Sequence, residues 1–237
     1  MIVKPGKCGS KGCLGRHSAC GFTLIEMATV ITIMGLMIVS VLNGYELIVS
    51  SKVKKLCQDF NDVQTMIYGY QDKYRVLPGD DPRADQRFPE GLLAGDGSAT
   101  GNGVIDGNWN SANVSDESFL VWQHLRLSGL TSGAVSFFSE VDQTQSSPKN
   151  LEGGRIGIQS TAAFNAGGIT DANLTHALVI CSDQISGKLA KLMDIALDDG
   201  QTHRGAMRAI QSGSMPGPST ETSLIANNLQ YTVCMTF

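Results

Sequence analysis

Signature motifs of the common enzyme classes are missing from this 237-residue chain. It has no Gly-x-x-x-x-Gly-Lys-Ser/Thr phosphate loop, no Gly-x-Ser-x-Gly nucleophile elbow and no His-Glu-x-x-His zinc motif. Histidine is the side chain best suited to act as a base near neutral pH, and beyond residue 21 it stands only at the scattered positions His124, His176 and His203. We therefore predict that the protein is not an enzyme.

Grouped basic side chains are also lacking over most of the chain. The formal charge is −4, yet the first 21 residues contain no acid and hold Lys4, Lys7, Lys11 and Arg16. The remaining chain carries 14 basic against 22 acidic side chains. Because phosphate binding needs clustered Lys and Arg, we predict no direct nucleic-acid partner. An acidic surface is better suited to solubility or to a hard cation.

The cysteines lack the spacing of a zinc site. Three of the six, Cys8, Cys13 and Cys20, lie in the basic N-terminal segment without a well-placed partner pair. We interpret these three as incidental.

One long apolar run stands out, over residues 22–42. At 1.5 Å per residue it makes about 30 Å of helix, which matches the hydrocarbon thickness of a bilayer. Basic residues precede the run and an acidic chain follows it, so the positive-inside rule places the N-terminus in the cytoplasm. The small-residue site Ala19-Cys20-Gly21 precedes the run instead of following it, unlike the cleavage site of a secretory signal peptide.

A single acid, Glu26, interrupts this run. A carboxylate within a span costs about 2.5–3.5 kcal/mol on insertion scales, and such a residue usually faces a partner. We expect that partner to be a cation. If the chain were cut between Gly21 and Phe22, the new α-amine of Phe22 would be a cation only a few residues away.

The segment "GFTLIEM" (21–27) resembles the class III signal of type IV prepilins and of the related pseudopilins of type II secretion. The resemblance implies that a membrane peptidase cuts after Gly21 and methylates Phe22, and that Glu26 meets the terminal amine of an adjacent subunit during assembly. It implies four kinds of partner: the prepilin peptidase/N-methyltransferase, other pilin or pseudopilin subunits, an inner-membrane assembly platform and the lipid bilayer. The implied location is the bacterial inner membrane, followed by a filament or the cell surface. Two alternatives stay open, an uncleaved membrane-anchored binding or sensor domain and an anchored hydrolase.

The helix is predicted to continue past the membrane to residue 75. Apolar residues recur at spacings of three and four along a single stripe, which consists of Val49, Val53, Leu56, Phe60, Val63, Ile67, Tyr70 and Tyr74. "LPGDDPRAD" (77–85) then stops the helix. We predict three parts: a leader (1–21) removed on processing, a long helix (22–75) and an extracytoplasmic head (76–237).

The head is predicted to be of the α+β class, with an antiparallel sheet packed against the long helix, as in pilins. A helix is predicted after the cap and acids Ser115-Asp116-Glu117, and "GKLAKLMDIALDDG" (187–200) is predicted to form another. Four short strands are expected at 154–159, 176–181, 205–210 and 229–237. Their order in the sheet cannot be inferred from the sequence.

Two of the predicted strands contain cysteines, Cys181 and Cys234. Oxidation is possible on the outer side of the membrane, and if these strands are neighbours, a disulfide between them would contribute about 2–4 kcal/mol. Two buried free thiols are the alternative, and Cys57 could pair with either cysteine.

The loop "GDGSATGNGVIDGNW" (95–109) is the candidate for cation binding. Its oxygen-bearing side chains Asp96, Asn102 and Asp106 lie among glycines, as the ligands of Ca²⁺ often do. No glutamate stands where an EF-hand needs one, so a polar, turn-rich loop is the alternative. Two further acidic groups, at 80–85 and at 198–199, could lend a ligand or be solvated.

Overall fold

The structure is a computed structural model that describes residues 22–93, 101–136, 147–161, 164, 168–170 and 177–237. Its longest element is α1 (Leu24–Tyr74), a helix of 51 residues. Arg75 follows it with a left-handed φ of 64°, a common way to end a helix. Pro78 and Pro82 prevent the helix from resuming.

The described strands form one four-stranded sheet in which all pairs are antiparallel. Its members are β1 (Ile156–Ser160), β2 (Leu178–Ser186), β3 (Met207–Gln211) and β4 (Gln230–Thr236). The order across the sheet is β1-β2-β4-β3, so the last strand of the chain inserts between β2 and β3. The predicted α+β class and the antiparallel sheet are confirmed.

One face of the sheet packs in a common core with the outer part of α1. The buried residues of that helix, each at most 8% exposed, are Val53, Leu56, Phe60, Val63, Ile67 and Tyr70. They share one hydrophobic cluster with Ile158, Ile180 and Val233 of the sheet. Since burial of one such side chain contributes about 1.5–3 kcal/mol, this stripe is a main source of stability in the head.

The opposite face of the sheet carries a second, smaller core. Side chains alternate across a strand, so Val179 and Cys181 point away from α1 while Ile180 points toward it. Trp109 and Phe164 belong to this second cluster. Connecting segments therefore cover the face that the long helix leaves open.

Three shorter helices complete the described elements, and two of them were predicted. These are α2 (Ala84–Arg87), α3 (Glu117–Leu127) and α4 (Gly187–Leu197). The N-cap of α3 is Asp116, one residue after Ser115, and its side chain makes no bond to the helix. Its carboxylate accepts hydrogen bonds from Ser111 Oγ at 2.6 Å and Asn113 Nδ2 at 3.1 Å instead.

The chain divides into two compact units between Glu46 and Leu47. The anchor unit, up to Glu46, contributes the first part of α1 to the described residues. The head unit, Leu47–Phe237, contains the rest of α1, the remaining helices and the whole sheet.

Candidate functional site

The first turn of α1 is closed by two side chains that bond to each other's backbone. Thr23 Oγ1 accepts a hydrogen bond from the backbone N–H of Glu26 at 3.3 Å. In return, Glu26 Oε2 accepts from the backbone N–H and the hydroxyl of Thr23, both at 2.8 Å. This arrangement is a capping box, which satisfies N–H groups that a helix start leaves without intrahelical partners.

The capping box changes the explanation for Glu26. We expected its carboxylate to need a cation, but two donors of Thr23 already bind it within the same chain. The Thr-x-x-Glu spacing of a capping box is present in the sequence, but we did not predict the box because the segment was interpreted as a membrane span. Phe22 precedes the cap with 78% of its surface exposed. Gly21 lies outside the described residues, so cleavage at this position stays a prediction.

Most of the described side chains of the anchor unit are apolar, and they are exposed around the whole helix. Most of the large hydrophobic residues from Phe22 to Val41 are more than half exposed, and Leu24 reaches 88%. Within the described residues, α1 is the one helix that is long and apolar enough to cross a membrane. Exposed apolar surface of this extent indicates lipid or other apolar helices as its surroundings.

The predicted cation loop is held to the head by buried acids. Of its three predicted ligands, Asp96 lies outside the described residues. The backbone N–H groups of Asn102 and Gly103 donate to Asp80 at 3.2 and 2.7 Å. The backbone N–H of Asp106 donates to Glu117 Oε2 at 2.9 Å. The oxygens of Asp80 and Glu117 thus anchor the loop backbone, and Ca²⁺ binding by the loop stays a prediction.

The buried carboxyl groups of Asp80 and Glu117 also act on each other electrostatically. Burial raises the pKa of Asp80, and burial together with the nearby charges of Asp80 and Asp106 raises the pKa of Glu117 to about 7. One proton on Glu117 near neutral pH lets these two carboxyl groups lie side by side without full charge repulsion.

The neighbouring acid, Asp81, joins α1 to the turn that follows it. Its carboxylate accepts a hydrogen bond from Tyr70 Oη at 2.8 Å and forms an ion pair with Arg87. Asp80 and Asp81 are 1% and 0% exposed. The alternative that this acidic group is solvated is therefore wrong for these two residues, because both hold structural bonds in the interior.

His124 is a structural residue. Its Nδ1 accepts from the backbone N–H of Gly79 at 2.9 Å, and its Nε2 lies 2.9 Å from the carbonyl oxygen of Leu92. This pattern requires a neutral ring with the proton on Nε2, and burial lowers the pKa of His124 in agreement. Both ring nitrogens are thus engaged by the backbone.

Cys181 and Cys234 are joined by a disulfide. The two residues lie directly opposite each other on the adjacent strands β2 and β4, with their Cα atoms 4.0 Å apart. Cys57, the alternative partner, is a half-buried thiol on α1, and burial raises its pKa. The cross-link lies in the second core of the sheet, next to Trp109 and Phe164.

A long helix with an exposed apolar start, followed by an antiparallel sheet that shares a core with its outer part, defines a pilin-like protein. The sequence comparison makes this assignment more specific: a family model described as the prokaryotic N-terminal methylation motif matches residues 16–42. The chain carries the class III signal of type IV prepilins and pseudopilins at the start of α1. No curated protein and no solved structure matches the chain.

Proposed function

We propose that the chain is the precursor of a structural subunit, a minor pilin or pseudopilin, of a type IV pilus or a type II secretion-like filament. In this proposal it is cleaved after Gly21, methylated on the amine of Phe22 and assembled through α1. One observation carries the proposal: the methylation motif at 16–42 includes the start of α1, where the described apolar side chains are exposed on every side of the helix.

The physical chemistry of this helix favours assembly over permanent isolation. In the bilayer, its apolar surface is matched by lipid, with the basic leader in the cytoplasm and the head outside. Once the helix leaves the lipid, the same surface can stay away from water only among other apolar helices. Further copies of α1, or the α1 helices of related subunits, provide such surroundings.

Glu26 has two states in this proposal. In the single chain it belongs to the capping box with Thr23. After cleavage, the amine of Phe22 becomes a positive charge, and the exposed carboxylate of Glu26 can pair with the amine of a neighbouring subunit. That ion pair would set the register of one helix against the next, because an unpaired charge among apolar helices is costly.

A second candidate function is an uncleaved, membrane-anchored binding or sensor domain. The capping box favours it, because it satisfies Glu26 without any cleavage. The two functions differ in the residue at which the membrane-bound chain begins, which is Phe22 after cleavage and Met1 without it.

Mass spectrometry of the N-terminus tests the choice. The full chain is produced in bacterial membranes with and without a prepilin peptidase. We expect the peptidase to yield a chain that begins with methylated Phe22, the substitution Gly21→Val to block this, and the matched substitution Gly15→Val in the leader to leave it intact. A chain that still begins at Met1 in the presence of active peptidase would contradict the proposal and support the anchored domain.

Two substitutions at Glu26 separate its charge from its capping role. Glu26→Gln keeps an oxygen acceptor for Thr23 but removes the charge, while Glu26→Val removes both. We expect both variants to insert and be cleaved but to be absent from filaments isolated from cells that contain the assembly machine. Normal incorporation of Glu26→Gln would show that Glu26 serves the helix cap and not subunit pairing.

A further inference from the structure

The C-terminal end of α4 holds a second group of acids in the head unit. One carboxylate oxygen from each of Asp194, Asp198 and Asp199 lies within 4.8 Å of one from both of the others. We call these three residues the α4 acidic cluster. Asp194 is completely buried, Asp198 is half-buried and Asp199 is exposed, so the cluster leads from the interior to the surface.

The buried member has no hydrogen-bond partner. Both carboxylate oxygens of Asp194 are shielded from solvent, and neither accepts a hydrogen bond. Asp194 also lies on the core-facing side of α4, one turn after Ala190, where an apolar residue would be ordinary. An unpaired buried carboxylate costs several kcal/mol, and a positively charged partner at this position would remove that cost.

The charges around Asp194 make its negative charge still less favourable. Asp198 and Asp199 add two further acids, and all three lie at a helix C-terminus, where the helix dipole already disfavours negative charge. Arg208 is the basic residue that acts electrostatically on Asp194, and its Nη1 donates to the backbone carbonyls of Gly205 and Met207 at 2.5 and 3.3 Å. One arginine leaves the cluster with an excess of negative charge.

The two outer acids are held in place by the backbone. Asp198 Oδ2 accepts from the N–H of Met207 at 2.8 Å, and Asp199 Oδ1 accepts from the N–H of Gln201 at 2.8 Å. Each of these bonds uses one carboxylate oxygen and leaves the other oxygen of the same group available. Together with the two oxygens of Asp194, the cluster therefore offers four carboxylate oxygens to a ligand.

We propose that the α4 acidic cluster binds a calcium ion. The donor set consists of oxygen atoms alone, which favours a hard cation, and its graded exposure leaves room for the water ligands that complete a coordination of six to eight. A divalent ion would bring the three acids and Arg208 to overall neutrality. The ion would join the end of α4 to the start of β3, the edge strand of the sheet. This site is separate from the predicted loop at 95–109 and does not depend on the proposed function.

Thermal unfolding of the full chain in detergent, followed by the fluorescence of the buried Trp109 and Trp122, tests the site. At a Ca²⁺ concentration about 100 times the Kd, we expect the Tm to rise by roughly 5 °C or more. Mg²⁺ at equal concentration should give less than half of this rise, because it demands a stricter geometry.

Substitutions locate the ion. Asp194→Asn keeps the shape of the side chain and should abolish the rise, while its Tm in EDTA should equal or exceed that of the wild type, because charge repulsion is relieved. Asp199→Asn alters an exposed residue, so folding is not at risk, and it should weaken Ca²⁺ binding by roughly tenfold or more in calorimetry. Asp72→Asn, at an exposed acid on α1, and Asp106→Asn, in the predicted loop, should both retain the response of the wild type.

The site is refuted if Ca²⁺ does not raise the Tm or if Mg²⁺ raises it equally. It is also refuted if the rise persists in Asp194→Asn and Asp199→Asn, or if Asp106→Asn abolishes it.

Discussion

The two parts of α1 belong to one helix, but their apolar side chains are exposed in the first part and mostly buried in the second. In the anchor unit the apolar residues surround the helix and are exposed, as Leu24 and Leu36 show at 88% and 72%. In the head unit, from Val53 to Tyr70, most of them form one buried stripe, and Phe60 and Ile67 are at most 1% exposed. Hydrophobicity alone thus does not tell where a side chain finds its partners. The distribution of apolar side chains around the helix does show this. A stripe on one side can pack into a core of the same chain, whereas an apolar surface on all sides needs lipid or other molecules around it.

The largest expected effect tests this comparison directly. Phe60→Ala removes a ring from the core of the head unit and should lower the free energy of unfolding by about 3–5 kcal/mol. The matched variant Leu36→Ala, at an exposed position of the anchor unit, should leave unfolding of the head unchanged. Thermal and denaturant unfolding in detergent measure both. Equal effects of the two variants would overturn the distinction between the two parts of the helix.

A cross-link also distinguishes the head unit. Replacing Cys181 and Cys234 together by alanine should lower the free energy of unfolding by about 2–4 kcal/mol, because the unfolded chain regains the freedom that the disulfide removes. Chemical denaturation under oxidising conditions measures the loss. Cys57→Ala, which retains the disulfide, should change stability much less, and the same large loss in that variant would contradict the role of the cross-link.

Protonation of Glu117 gives the head unit a pH dependence. Its pKa is raised to about 7, so the folded state holds this proton more tightly than the unfolded state, in which the value is near 4.5. The contribution of Glu117 to stability is therefore fully present below about pH 4.5 and is lost as the pH rises to about 7 and above.

Glu117→Gln should flatten the fall in Tm between pH 5 and 8, since a neutral amide oxygen can still accept from the N–H of Asp106. The substitution Glu221→Gln, at an exposed acid, should retain the slope of the wild type. An unchanged slope in Glu117→Gln would show that other groups govern the pH dependence.

The smallest expected effect concerns the start of α1. Thr23→Ala removes the capping box and should destabilise the first turn by about 1 kcal/mol, which corresponds to roughly fivefold faster hydrogen exchange at the amide of Glu26. Thr29→Ala is the control, because that hydroxyl donates to the carbonyl of Glu26 at 2.9 Å without capping an N–H. Equal exchange rates in the two variants would argue against a working cap.

Elements with a regular period were predictable from the sequence, and the disulfide between Cys181 and Cys234 was one of the pairings it allowed, but the order of the strands was not predictable. The apolar stripe from Val53 to Tyr70 predicted the part of α1 in the head unit, because its spacing follows from helix geometry alone. The order of the strands depends on which edges meet in space, so no local pattern could place β4 between β2 and β3.

The candidate sites differ in the same way: some lie within a contiguous stretch of sequence, and others are brought together by folding. Phe22 and Glu26 could be proposed from the sequence alone because they belong to one short contiguous motif. The pairing of Asp80 with Glu117, and the burial of Asp194, result from packing between distant segments. Asp194 in particular looks like an ordinary polar residue of an amphipathic helix until the fold shows that its side faces the core.

The disulfide also has a mechanical consequence. Cys181 and Cys234 are 53 positions apart in sequence and are covalently joined at the centre of the sheet. If the chain is pulled by its ends, the segment between them, including α4 and β3, lies off the path of the force. About 180 Å of contour length is therefore withheld from extension, even after the strands have separated. Under load, the rest of the head can therefore unfold and extend while the residues between the two cysteines do not add to the length of the chain.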